Sequence, residues 1–363
     1  MPDSSQVQPV AFNCEGGLIL NRSSFMMQPG EALELENFEP DISGGYRRIN
    51  GYRKYVNQVV PVTTSSSETV LMSATFSNKI VAARGEKIFS SSSTELSLGI
   101  AANTGMTGSG SISVVSTTGF SASGTFQIDS ELFTYTGITA TTFTGITRAT
   151  SSTSAAAHAR ASVVSENWTQ RDTGRTNATK YHFERYNFDG NEKLICVDGV
   201  NAPVIFNSAM TAADVSESSV AGAKVVAAFR NHMFYAGKST SPQEVIFSEP
   251  FNEDGFASGQ GAGSIKVDDT VVALKVFRDN LFIFCSTRIF KLTGSSSSDF
   301  SVEPVTRNIG CVNSFTVQEF AGDLIFLGPD GLRTIAATAR IGDTELGTIS
   351  KNIQSVFDEN INN

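Results

Sequence analysis

Any chemistry in this sequence has to come from a small set of side chains. The histidines are His158, His182 and His232. His158 stands in an Ala-rich stretch, SAAAHARA, and His232 in a turn between two apolar runs, so both read as surface or turn residues. No local spacing around them matches a zinc site or a Ser-His-Asp arrangement. The carboxylate pairs Glu34/Glu36, Asp129/Glu131, Asp268/Asp269 and Glu253/Asp254 contain the groups a glycoside hydrolase needs. Solvated strand faces and turns account for them more simply. The Asp-Gly steps at Asp189-Gly190, Asp198-Gly199, Asp254-Gly255 and Asp330-Gly331 are hairpin turns. None has the run of alternating acidic oxygens that calcium takes. The segment SGQGAGS at 258–264 lacks the Lys-Ser/Thr of a phosphate loop and reads as a flexible loop. Cys14, Cys196, Cys285 and Cys311 stand far apart, and the second and third lie inside apolar runs. They predict buried thiols, not a disulfide framework or a zinc site. No catalytic residue, metal ligand or cofactor emerges, and the expectation is a protein that is not an enzyme.

What would position side chains here is β-structure. Charged residues make up only 17% of the 363, with Ser, Thr and Gly in their place, which suits half-exposed strands and turns better than helices. The 26 Phe supply an aromatic core. A net charge of −9 argues against gripping nucleic acid through its phosphates, and an acidic lining would instead keep a passing strand from sticking. The opening MPDSSQVQPVAF has no basic or apolar leader pattern. No run approaches the roughly 18 apolar residues of a membrane span.

The main organising feature is an internal repeat. Residues 225–247, 271–293 and 314–335 share one grammar: an alternating apolar run, a short polar turn, a dense apolar strand and a second hairpin. The first turns are Arg230-Asn231-His232, Arg278-Asp279-Asn280 and Ala321-Gly322-Asp323. Weaker copies lie at 181–206 and 70–89. A period of about 40–50 residues with hairpins in every unit predicts the blades of a β-propeller, about five or six of them visible. Phe229, Phe234, Phe277, Phe282, Phe284, Phe320 and Phe326 are then expected between blades.

The interval from Lys79 to Leu194 is too long for one blade. Its surplus, 101–165, is rich in Thr, Ser, Gly and Ala and alternates strongly, so it predicts a small β-module inserted between blades or in a blade loop. The expected organisation is an extended N-terminal arm over 1–60, a first blade over 61–100, the module over 101–165, the remaining blades over 166–345 and a C-terminal helix or tail over 346–363. In that tail Leu346, Ile349, Ile353, Val356, Phe357 and Ile361 recur at helical spacing, with Thr348 or Ser350 as cap. Serine clusters at 65–67, 90–93, 151–152 and 295–298 read as loops at the joints. An arm of this kind can close the ring with a strand or pack on a neighbouring subunit, and the sequence leaves both open. The basic cluster Tyr46-Arg47-Arg48 with Tyr52-Arg53-Lys54 fits an acidic protein neighbour better than DNA, given the overall charge.

Three stretches resemble virion proteins of tailed bacteriophages. The first is the arm, through Gly16, Gly17 and Leu18; Pro29, Gly30, Glu31 and Ala32; Glu36, Asn37 and Phe38; and Arg48, Gly51 and Tyr52. The second is the module, similar to a small β-module of phage tail and fibre proteins. It matches at Gly119-Phe120, Gly124, Ile128, Glu131, Tyr135-Thr136-Gly137, Phe143-Thr144-Gly145, Thr147-Arg148 and Ala157-His158. The third is the blade end, RNIGCVNSF followed by LIFLGPDGLRTI, which resembles β-propeller tail nozzle or hub proteins (tail tubular protein B-like) of short-tailed phages. The resemblance covers roughly half the chain, and nozzle-type proteins are usually much longer. It implies a homo-oligomer, a hexameric ring at the head-tail connector, with adaptor and fibre proteins as further partners. Phage DNA would pass without sequence-specific binding during ejection. The place would be the virion tail, assembled in the host cytoplasm. The assembly contacts are then expected at Gly16, Gly17, Leu18, Phe38, Arg47, Arg48, Tyr52, Arg53, Ile353 and Phe357. The alternative is a host-recognition tail protein that binds a surface glycan or receptor. A propeller hydrolase is the weakest reading.

Overall fold

The computed structural model describes residues 16–41, 44–63, 68–102, 105–335 and 349–361. Cys14, the serine cluster at 65–67, Leu346 and Thr348 lie outside the described residues. The chain is nearly all β and propeller-like. It divides into two compact units, one of residues 53–285 with 290–303, the other of residues 1–52 with 286–289 and 304–363.

Four sheets of four strands repeat in chain order. The first blade is Val70–Phe76, Lys79–Arg84, Lys87–Ser91 and, after a long excursion, Thr169–Thr173. The second is His182–Tyr186, Lys193–Val197, Val204–Phe206 and Ala212–Asp214. The third is Val225–Phe229, His232–Ala236, Glu244–Phe247 and Gly263–Lys266. The fourth is Val271–Phe277, Asn280–Cys285, Ile289–Thr293 and Ser301–Thr306. The first strand of each blade lies beside the first strand of the next, which makes these the inner strands around a common axis.

The repeated sequence grammar has a physical meaning here. The first two strands are joined by two-residue turns at Ser77-Asn78, Arg230-Asn231 and Arg278-Asp279, and all six residues have positive φ. That is the turn geometry whose twist matches the right-handed twist of the flanking strands. A phenylalanine precedes each turn, and Phe76, Phe229 and Phe277 are all buried. Each blade is apolar on both faces, so the cores form between blades. Met72, Phe76 and Val81 of the first blade pack with Leu194, Cys196 and Phe206 of the second. Ile195 and Val197 pack with Val226, Met233 and Tyr235 of the third. Phe229, Phe234 and Phe247 pack with Leu274, Leu281 and Ile283 of the fourth.

The excursion from the first blade is a seven-stranded sheet placed between its third and fourth strands. It is built on Ser93–Glu95, Thr107–Ser113, Gly124–Ile128, Glu131–Tyr135, Gly137–Thr139, Thr142–Thr147 and Val163–Glu166. Phe126 stacks on Phe133 at 5.1 Å and Tyr135 meets Phe143 edge-on at 4.8 Å. A polar joint ties this sheet to the blade. Lys79 Nζ pairs with Glu166 at 2.8 Å and also donates to the Gly119 carbonyl, which Ser92 Oγ reaches at 2.6 Å. Gly119 has φ +88°, and a Cβ there would lie 2.5 Å from the Asn78 carbonyl oxygen. This joint corrects the reading of Ser90–Ser93 as a loop. Ser90, Ser91 and Ser92 are fully buried, because their hydroxyls find partners in the Arg171 side chain and the Glu166 and Gly119 carbonyls.

The other unit holds a three-stranded sheet of Gln318–Phe320, Asp323–Gly328 and Gly331–Thr334. It also holds a parallel bridge of Gly17–Leu18 on Glu31–Ala32 and a hairpin of Phe38–Pro40 with Tyr46–Arg48. A 3-10 turn at Lys351–Ile353 leads into the helix α1, Gln354–Ile361. Arm and tail meet: the Leu20 amide donates to the Asn352 carbonyl at 2.7 Å, and Asn21 Nδ2 to the Lys351 carbonyl at 3.0 Å. Ser350 Oγ accepts from the Leu332 amide at 3.1 Å, tying the start of the helical segment to the sheet. Phe320 holds the repeat's pre-turn position, yet it is 67% exposed, unlike its three counterparts. The expectation that all seven repeat phenylalanines lie between blades therefore fails at this one, because none of the described residues covers it.

Candidate functional site

The residues expected at assembly contacts fall into three environments. Gly16 and Gly17 give the chain close passage along Glu31, where a Cβ on Gly16 would lie 2.6 Å from Glu31 Cγ. Leu18 is half-buried. Phe38, Arg47 and Arg48 sit on the hairpin, all exposed, with Arg48 opposite Phe38 in register. Arg47 is engaged by Glu39 at 2.8 Å, and Arg53 by Glu95. Tyr52 is 99% exposed. Ile353 and Phe357 are half-buried beside exposed Val356. The structure thus joins the two ends of the chain in one unit and uses two of the basic side chains internally. Phe25 and Met26, which the sequence reading did not single out, are also exposed there.

The module contains a cluster that the sequence reading missed. Glu131 is fully buried and accepts from Arg148 Nε at 2.8 Å and Nη2 at 2.7 Å, and from the amides of Ala149 and Ala156 at 3.1 and 2.9 Å. His158 places Nε2 2.8 Å from Glu131 and Nδ1 2.8 Å from Asp129. Arg148 also donates to the Ala101 and Ala156 carbonyls at 2.8 and 2.6 Å. Burial alone would raise the Glu131 pKa. The donors from Arg148, Ala156 and His158 outweigh it and pull the group down to about 2. A carboxylate with its oxygens saturated and no exposure has no room to take a proton from a substrate, so this Asp-His-Glu set is a staple for the loops at 101 and 149–158. It corrects His158 as a surface or turn residue. His232 is likewise buried, with Nδ1 2.6 Å from the Ser248 carbonyl. The only sequence signal was that Glu131, Arg148 and His158 all belong to the resembling pattern.

Two of the other carboxylate pairs make structural contacts or stand in solvent. Glu253 is buried against Lys193 at 2.7 Å while Asp254 accepts from the Ser216 amide, and Glu34 and Glu36 are exposed. Cys196, Cys285 and Cys311 are buried and form no disulfide. Among the described residues no group of three or more His, Cys, Asp or Glu is placed to hold a metal ion. Nor is any helix among them long and apolar enough to cross a membrane.

On the inner strands, Glu184 is the one carboxyl among those with a resolved shift that rises toward neutrality. Burial pushes it up to about 7 against the pull of Lys275 on the fourth blade. Burial, with Lys275, lowers His182 to about 4. A cleft of about 420 Å3 opens on the third blade. Its wall includes Glu217, Ser219, Lys238, Glu244, Phe256 and the hydroxyls of Ser258 and Ser264. The segment 258–264 that the sequence marked as a flexible loop is a 3-10 turn, Ser258–Gln260, running into the strand Gly263–Lys266.

No protein-family model matches the chain, and no curated protein sequence does. Solved structures with related strand courses are distant. An endosialidase of phage phi92 is 15% identical with a TM-score of 0.39, covering 74% of this chain and 54% of its own. This chain therefore spans about half the length of that relative. A chain of the nidogen/laminin complex is 8% identical with a TM-score of 0.34, covering 72% of this chain and 95% of its own. Sqt1 of Saccharomyces cerevisiae is 11% identical with a TM-score of 0.33, covering 75% and 84%. Likeness at this level transfers neither activity nor partner.

Proposed function

We propose that this chain is a structural protein of a bacteriophage tail or neck, a nozzle or hub component that assembles into a hexameric ring around the DNA path. The observation that carries the assembly reading is Phe320. Phe76 and Phe229 pack into cores shared with the next blade and Phe277 is buried, whereas Phe320 at the same position stands 67% exposed. Covering a phenylalanine is worth about 1.5–3 kcal/mol, so such a position favours a partner surface. Phe25, Phe38 and Tyr52 add exposed aromatic area in the same unit. Exposed apolar side chains mark interaction sites where they form a contiguous patch. The placement of the assembly in a phage tail rests on the resemblance of arm, module and blade end. In this reading the arm and tail helix bind neighbouring subunits or adaptor proteins, the blades give rigidity, and the module at 101–165 projects outward. The net charge of −9 suits a wall past which DNA slides.

Native mass spectrometry of the full chain tests this. The expected result is a discrete ring for the native sequence, with Phe320→Ser and Tyr52→Ala shifting it toward monomer while circular dichroism stays unchanged. A monomer or trimer insensitive to both substitutions would refute the ring and move the assignment to a host-recognition module.

A further inference from the structure

The cleft on the third blade has a composition that the assembly reading does not use. Its wall carries an aromatic ring, Phe256, half-buried and resting on Tyr235 at 5.8 Å between centroids. Around it stand hydrogen-bonding groups with different degrees of freedom. Lys238 Nζ is held by the Ser219 carbonyl, and the Glu217 carboxylate caps the Ser219 amide at 2.8 Å. These two contacts fix one wall. Among the described residues the Glu244 carboxylate and the hydroxyls of Ser258 and Ser264 have no side-chain hydrogen bond, and all three line the same opening. Glu244 is on a strand, half-buried, with Lys266 opposite it in register, and Ser264 stands opposite Ile246 on the neighbouring strand. The positions are therefore set by sheet geometry.

We infer that this cleft binds a neutral oligosaccharide. The free acceptors and hydroxyls call for a ligand with many hydroxyl groups. Phe256 offers an apolar face of the kind that packs on the C–H side of a sugar ring. The charges decide against an acidic sugar: Glu217 and Glu244 face Lys238, with Lys266 at the edge, so no positive excess remains to hold a ligand carboxylate. The volume of about 420 Å3 lies in the range of ligand sites, roughly 300–1,000 Å3. The inference is independent of the ring: it concerns a site on the blade edge and stands whether or not the chain assembles.

Saturation-transfer NMR on the full chain tests it, with maltoheptaose and chitotetraose as neutral probes and sialyllactose as the acidic comparator. Transfer to a neutral probe is expected, and Phe256→Ala should weaken binding at least tenfold. Because Phe256 also packs on Tyr235, a second variant, Ser264→Trp, fills the mouth from an exposed strand position and should abolish transfer with the fold unchanged by circular dichroism. Absence of transfer from both neutral probes, transfer indifferent to Ser264→Trp, or transfer from sialyllactose alone would each overturn the inference.

Discussion

Replacing Glu131 should unfold the module and leave the blades standing. The Glu131→Ala change removes a carboxylate that accepts from Arg148 twice, from two backbone amides and from His158. Arg148 keeps its charge with a side chain only 3% exposed. Breaking a buried pair in this way costs about 3–5 kcal/mol, mostly from the stranded partner. The pH dependence gives an independent figure. The Glu131 pKa falls from the usual 4.5 unfolded to about 2 folded. A depressed acid contributes stability that is fully present above the unfolded value and lost as pH drops through the folded one. The window thus runs from about pH 4.5 down to about 2 and amounts to on the order of 3 kcal/mol. Native-state hydrogen exchange resolves the module from the blades, which a single melting curve would not. Amides of Gly124–Ile128 and Glu131–Tyr135 should lose protection in Glu131→Ala, while those of His232–Ala236 keep theirs. The double variant Glu131→Ala/Arg148→Ala should cost less than the sum of the singles. Module protection that changes by under about 1 kcal/mol in Glu131→Ala would refute the reading of this cluster as a staple.

Other outcomes follow from the same geometry. Glu184 titrates in the opposite sense: its pKa is raised, so the unfavourable charged form weakens the fold as pH rises from about 4.5 to about 7. Glu184→Gln should raise the melting temperature at pH 8 and leave it unchanged at pH 4, measured by calorimetry. Gly119→Ala puts a side chain at φ +88° against the Asn78 carbonyl and should cost upwards of about 1 kcal/mol. Limited proteolysis should then release the module sooner than in the native chain. The Cys196, Cys285 and Cys311 thiols are buried, and burial pushes the first and third up in pKa, so all three should react with Ellman's reagent only after unfolding.

How far the sequence reaches is decided by which interactions are local. The propeller-like repeat was legible because its turns are two residues long and its strands alternate, so a Phe, a polar pair and an apolar strand recur in order. The seven-stranded sheet coincides largely with a compositional island of Thr, Ser, Gly and Ala, but its entry between the third and fourth strands of the first blade leaves no local mark in the sequence. That placement depends on Thr169–Thr173 returning to pair with Lys87–Ser91, a contact across the whole insertion. The Glu131 staple was hidden for the same reason, since its members lie 17 and 27 residues apart and only a folded sheet brings them to one point. His158 looked superficial because alanines surround it in sequence, whereas Phe133 and Glu131 surround it in space. Ser90–Ser92 misled in the same direction: hydroxyl-rich composition signals a loop only when the hydroxyls face water, and these meet the Arg171 side chain and the Glu166 and Gly119 carbonyls. The cleft was invisible because Glu217, Lys238, Glu244 and Ser264 come from four separate segments. The converse case is Phe320. Its sequence context is that of a buried residue, yet none of the described residues covers it. A core-type position left uncovered among the described residues leaves apolar area unsatisfied, much as an edge strand leaves its amides unpaired.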